Sequence, residues 1–140
     1  MLDSQTAATI TVDQKLGRRA RAQLVMLIAQ FLLGMGVNLI GQPSETTGAA
    51  KVVTTAALAG HVAVAVGLIV GAILTVRLAA AVGAQLRTQS WIGLALVAIT
   101  IAAGVLTMTL NSNWWSYLMA VGFVALLIVY GSLYVRARSR

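Results

Sequence analysis

Residues 52–76, VVTTAALAGHVAVAVGLIVGAILTV, run for 25 residues without an Asp, Glu, Lys or Arg. As an α-helix rising about 1.5 Å per residue, such a run reaches roughly 38 Å. The hydrocarbon core of a bilayer is about 30 Å thick, so the run spans it with some tilt. A soluble protein able to bury such a helix needs polar residues to cover its core. Soluble domains are about 25% charged; this chain is 9% charged and 59% hydrophobic, with mean hydropathy +0.90. In lipid every backbone N–H and C=O needs an internal partner, which favours helices. The fold class is therefore all-α: a polytopic membrane protein, a four-transmembrane-helix bundle.

The other spans follow from the same pattern. Span one is about residues 24–40, LVMLIAQFLLGMGVNLI, and span two is residues 52–76. Span three is residues 91–110, and span four about residues 116–135. The loop GQPSETTGAAK between the first two carries Pro43 and Gly48 as breakers. The short NSNWW link predicts spans three and four as antiparallel neighbours. Residues 1–22 read as an N-terminal tail, disordered over MLDSQTAATITVDQ and basic over KLGRRARAQ, ahead of a membrane domain over residues 23–135. The apolar run after it is longer than a signal-peptide core, which argues against a cleaved leader. Residues 136–140 form a basic tail. No internal repeat stands out, although two tandem hairpins are compatible with one.

Charge predicts the orientation. Lys15, Arg18, Arg19 and Arg21 precede span one, Arg77 and Arg87 lie between spans two and three, and Arg136, Arg138 and Arg140 end the chain. Nine of ten basic residues thus fall on one side, with only Lys51 on the other. The positive-inside rule puts both termini in the cytoplasm of a plasma-membrane protein. Trp91, Tyr130 and Tyr134 then belong to an inner aromatic belt, and Trp114, Trp115 and Tyr117 to an outer one. The net charge of +7 reads as topology and headgroup anchoring, so no nucleic-acid partner is expected.

His61 is the one histidine and lies near the middle of span two. An ionisable residue inside the membrane defaults to a functional hypothesis. A neutral histidine held by an interhelical hydrogen bond is the plainer alternative, and a proton-linked role is the third. Gln30 falls at the same depth on span one, so antiparallel packing lets the two side chains meet. Asn38, nearer the outer surface, suits a helix end or interfacial water. Ala56, Gly60, Ala63, Gly67 and Gly71 recur at spacings of three and four. They predict a smooth seam for helix packing, either within the chain or in a homodimer. Thr100, Thr107 and Thr109 are expected to bond back to their own helix carbonyls.

Several classes of chemistry are disfavoured. The acids are Asp3, Asp13 and Glu45, all outside the predicted spans, whereas a proton-coupled carrier normally needs a membrane carboxylate. There is no cysteine, hence no thiolate metal site or cysteine nucleophile. No catalytic residue and no metal site are expected.

The segments QFLLGMGVNL and LAGHVAVAVGLIVGAILTVRLA, with Gln30, Gly34, Asn38, His61 and Arg77, resemble small actinobacterial four-helix membrane proteins of unknown function. More distantly they are similar to one four-helix half of the haem A synthase family. That resemblance implies haem as a cofactor, with His61 as one axial ligand. The family's halves use two histidines on separate helices; spans three and four here offer only Met108 and Met119, and a symmetric dimer would supply a second His61. The leading expectation is an interaction or accessory subunit embedded in the lipid bilayer, with other membrane proteins or a second copy as partners. The alternative is a membrane-embedded binder of haem or a small lipophile centred on His61.

Overall fold

A computed structural model describes residues 2–110 and 113–139, with side chains from residue 12 onward apart from Asn113. Four helices follow in order: α1 Leu2–Ile40, α2 Gly48–Ala79, α3 Ala84–Leu110 and α4 Asn113–Arg138. Each contains a stretch long and apolar enough to cross a membrane. The chain is an all-α, multi-pass membrane protein. Asn111 and Ser112 of the NSNWW link lie outside the described residues.

The helices form a ring in chain order. α1 packs on α2, α2 on α3, α3 on α4 and α4 back on α1, with no diagonal pair of helices in contact among the described residues. Short connections explain this order. After α1, Gly41 takes φ 104° and its N–H bonds back to the Val37 carbonyl at 3.0 Å, which closes the helix just before Pro43. After α2, the N–H groups of Ala81 and Val82 bond to Leu78 and Ala79 in a tight turn.

The core is concentrated at the end of the bundle that holds both termini and most of the basic residues, called here the basic end. It joins Leu16, Ala20 and Leu27 of α1 to Leu68 and Ala72 of α2, Leu86 and Val97 of α3, and Leu126, Tyr130 and Leu133 of α4. Towards the α1–α2 loop most inward-facing residues are only half-buried. Outward faces are apolar: Leu32 is 63% exposed and Ile128 65%. Lipid is the solvent such faces suit.

Two expectations are corrected by the packing. Residues 2–14 are not a disordered tail; α1 runs unbroken from Leu2. Asp13, Leu16, Gly17, Ala20, Gln23 and Leu27 make one buried stripe at helical spacing. Four of those six residues are polar or small, so the period is faint in hydropathy. A Cβ at Gly17 would lie 3.6 Å from Ala137 Cβ, which shows how closely α1 meets the end of α4. Asp13 is only 6% exposed, so a carboxylate is buried at the basic end, on the N-terminal side of the apolar run of α1. The second correction is Tyr130. It is no belt residue but fully buried, its ring against Gly93 of α3. Trp114 and Tyr117 are exposed and meet edge to face, with ring centroids 6.2 Å apart.

Candidate functional site

The His61 imidazole packs across the α1–α2 seam. Its Nδ1 lies 3.1 Å from the backbone carbonyl oxygen of Gln30, and its Nε2 lies 2.9 Å from Gln30 Nε2. A carbonyl only accepts, so Nδ1 carries the proton and donates it. Nε2 is then the lone-pair nitrogen and accepts from the Gln30 amide. Both ring nitrogens are therefore engaged by one residue. Gly34 makes this approach possible. It stands one turn beyond Gln30 on the same helix face, and a Cβ there would sit 3.0 Å from His61 Cε1.

Asn38 is not part of this constellation; it is exposed two turns further along α1. The glycines of α2 face α1. A Cβ at Gly60 would meet Leu33 at 3.4 Å, and one at Gly67 would meet Met26 Sδ at 3.3 Å. One at Gly71 would run into the Gln23 amide. Ala56 and Ala63 turn outward instead and are exposed. The five small residues thus divide between an internal seam and an outer face.

Three polar side chains at the seams were not anticipated. Gln23 is 1% exposed and donates through Nε2 to the Leu68 carbonyl at 3.1 Å. Gln89 does the same across the other hairpin, donating to the Val129 carbonyl at 3.1 Å and to Ser132 Oγ. Thr107 and Thr109 bond back to Ala103 and Val105 at 2.9 and 3.2 Å. Thr100 does not: its Oγ1 is buried without a partner, against Gly122 of α4.

These contacts reveal a shared plan in the two hairpins. In each, a glutamine on the first helix donates to a carbonyl on the second and lies over the residue three further on: Leu68 then Gly71, Val129 then Ser132. Eleven residues after each glutamine stand Gly34 and Thr100; seven before each carbonyl stand His61 and Gly122. His61 packs on Gly34, and Thr100 packs on Gly122. The large and small partners have exchanged helices, and the close approach to a glycine recurs. The hydrogen bonds to Gln30 have no counterpart at Thr100, whose Oγ1 is without a partner.

The arrangement can be tested against a haem. Axial ligation needs a free imidazole nitrogen, and Nε2 is taken by the Gln30 amide. The chain has no second histidine, and the described residues contain no cluster of three or more His, Asp or Glu. These residues do not fit a haem held within one chain. No family model matches the chain, nor does any curated protein or solved structure.

Proposed function

We propose that the chain is an interaction or accessory subunit of the plasma membrane, with both termini cytoplasmic, rather than a catalyst. The observation that carries this reading is an outward face of alanines on two adjacent helices. Ala59 and Ala63 of α2 are exposed, as are Ala95, Ala98 and Ala102 of α3. Val62 and Val66 of α2 and Ile99 of α3 flank these alanines, whereas the exposed faces of α1 and α4 carry Val25, Ile28, Leu32, Val124 and Ile128. In lipid there is no hydrophobic drive between helices, and small residues favour association by letting backbones approach. The engagement of both His61 nitrogens supports the same reading, because it occupies the group best suited to ligation or proton transfer. The orientation rests on the nine-to-one distribution of basic residues.

The chain has no cysteine, so single cysteines can be introduced without background. Ala63→Cys and Ala98→Cys, each carrying a thiol-attached photo-cross-linker and irradiated in native membranes, are expected to cross-link to one and the same membrane protein, identified by mass. Leu32→Cys and Ile128→Cys are expected not to. Equal cross-linking at all four positions, or none at any, would refute an interaction face on α2 and α3.

A further inference from the structure

The basic end carries exposed cations from every helix, among them Arg18 and Arg19 of α1, Arg77 of α2, Arg87 of α3 and Arg138 of α4. Their charge is not compensated within the described residues. Glu45 lies at the opposite end, in the α1–α2 loop, where it accepts from the Gln42 N–H at 3.3 Å. Asp13 points into the bundle and its Oδ1 has no partner. Such a girdle sits where headgroups meet water, and basic residues near an anionic surface are attracted to it. One part is concave: an open recess of about 400 Å³ at the α2–α3 turn, lined by Ala80, Gly83, Ala84, Arg87, Thr88 and Trp91.

We propose that this recess binds the headgroup of an anionic phospholipid. Arg87 offers a planar fork of donors that matches the oxygens of a phosphodiester. No acid lines the recess, and Ala84, Arg87, Thr88 and Trp91 bring one face of the opening turns of α3 to form one wall. Small residues, Ala80, Gly83 and Ala84, leave room for the glycerol and phosphate. Trp91 marks the other limit. It is 52% exposed, and beyond it α3 presents Ile92 and Ile99 outward, each at least half exposed. Acyl chains attached to a headgroup in the recess would therefore continue along an apolar surface. A soluble anion would gain nothing from that continuity, and this favours a lipid as the occupant. The inference depends on the basic end meeting a leaflet's headgroups and not on which leaflet that is. Ile99 lies between Ala95 and Ala102 on α3, so the acyl chains would border the alanine face. The headgroup test at Arg87 and Ala80 is read without the cross-linking test, and the two are decided separately.

The test is native mass spectrometry of the full chain with phosphatidylglycerol or phosphatidylcholine, helix content being checked by circular dichroism. One phosphatidylglycerol per chain is expected to stay bound where phosphatidylcholine does not. Arg87→Gln is expected to weaken that adduct at least about tenfold, whereas Arg18→Gln, the same loss of charge outside the recess, leaves it unchanged. Ala80→Leu keeps every charge but fills the recess, and is expected to weaken the adduct as Arg87→Gln does. Equal losses from Arg87→Gln and Arg18→Gln would reduce the effect to bulk charge and overturn the site. So would equal retention of phosphatidylcholine, an unaffected Ala80→Leu variant, or displacement of the lipid by excess inorganic phosphate.

Discussion

Gly34 lies directly beneath the imidazole of His61, so close that a Cβ at residue 34 would stand 3.0 Å from Cε1 and 3.3 Å from Nδ1. The histidine reaches the backbone of α1 because its partner position has no side chain. Alanine is ordinarily the better helix former by about 1 kcal/mol. At Gly34 that gain is opposed by a ring that cannot swing away without losing its hydrogen bonds. Gly36, two residues on, has nothing within 4 Å of such a Cβ. Gly34→Ala is therefore expected to lower the melting temperature in detergent, while Gly36→Ala holds or raises it. A Gly34→Ala protein as stable as Gly36→Ala would show that the His61 contact contributes nothing.

His61 and Gln30 are expected to be energetically coupled. Interhelical hydrogen bonds of this kind contribute about 1 kcal/mol or less. His61→Ala and Gln30→Ala should each destabilise modestly, and the double variant should cost less than their sum, because the second truncation removes a group already without its partner. Strict additivity would mean that the bonds seen here carry no net stability. The purified protein is also expected to show no Soret band; one at stoichiometric intensity would make His61 an iron ligand.

Gly71 should be less tolerant than Gly67. A Cβ at Gly71 collides with the Gln23 amide, which is buried and committed to the Leu68 carbonyl. A Cβ at Gly67 meets only the Met26 sulfur at 3.3 Å, on a side chain flexible enough to yield. Displacing the amide leaves the buried Gln23 Nε2 donor unpaired, at about 1–3 kcal/mol. Unfolding in denaturing detergent should rank Gly71→Ala well below Gly67→Ala, and the reverse order would contradict the seam described.

Tyr130 separates packing from hydrogen bonding. Its ring is fully buried and its hydroxyl has no partner. Removing an unpaired buried hydroxyl relieves a desolvation cost, so Tyr130→Phe should be neutral or stabilising. Tyr130→Ala leaves a cavity against Gly93 and should cost about 3–5 kcal/mol. A marked loss from Tyr130→Phe would reveal a partner for the hydroxyl.

Topology can be read in intact cells with an impermeant thiol reagent. Ser44→Cys, in the α1–α2 loop, is expected to label from outside, and Ser139→Cys, at the basic end, is not. Labelling of Ser139→Cys would reverse the orientation assigned from charge.

The spans and the all-α class were legible in the residues because transfer into lipid is a sum over side chains, set locally and independent of partners. The matching depths of Gln30 and His61 were legible for a related reason: a helix rises by a fixed amount per residue, so counting gives depth. The tertiary structure decided which faces meet. Gln23 and Gln89 find backbone carbonyls across a seam, and a carbonyl is present at every residue, so such a partner leaves no mark in the sequence. Tyr130 looks like an interfacial anchor until Gly93 makes room for its ring in the core. Asp13 and the small residues around it look like a polar tail until α4 covers them. The ring of α1–α2–α3–α4 contacts divides the small residues of α2 into an inward seam and an outward face. That division depends on where neighbouring helices stand, which local hydropathy does not encode.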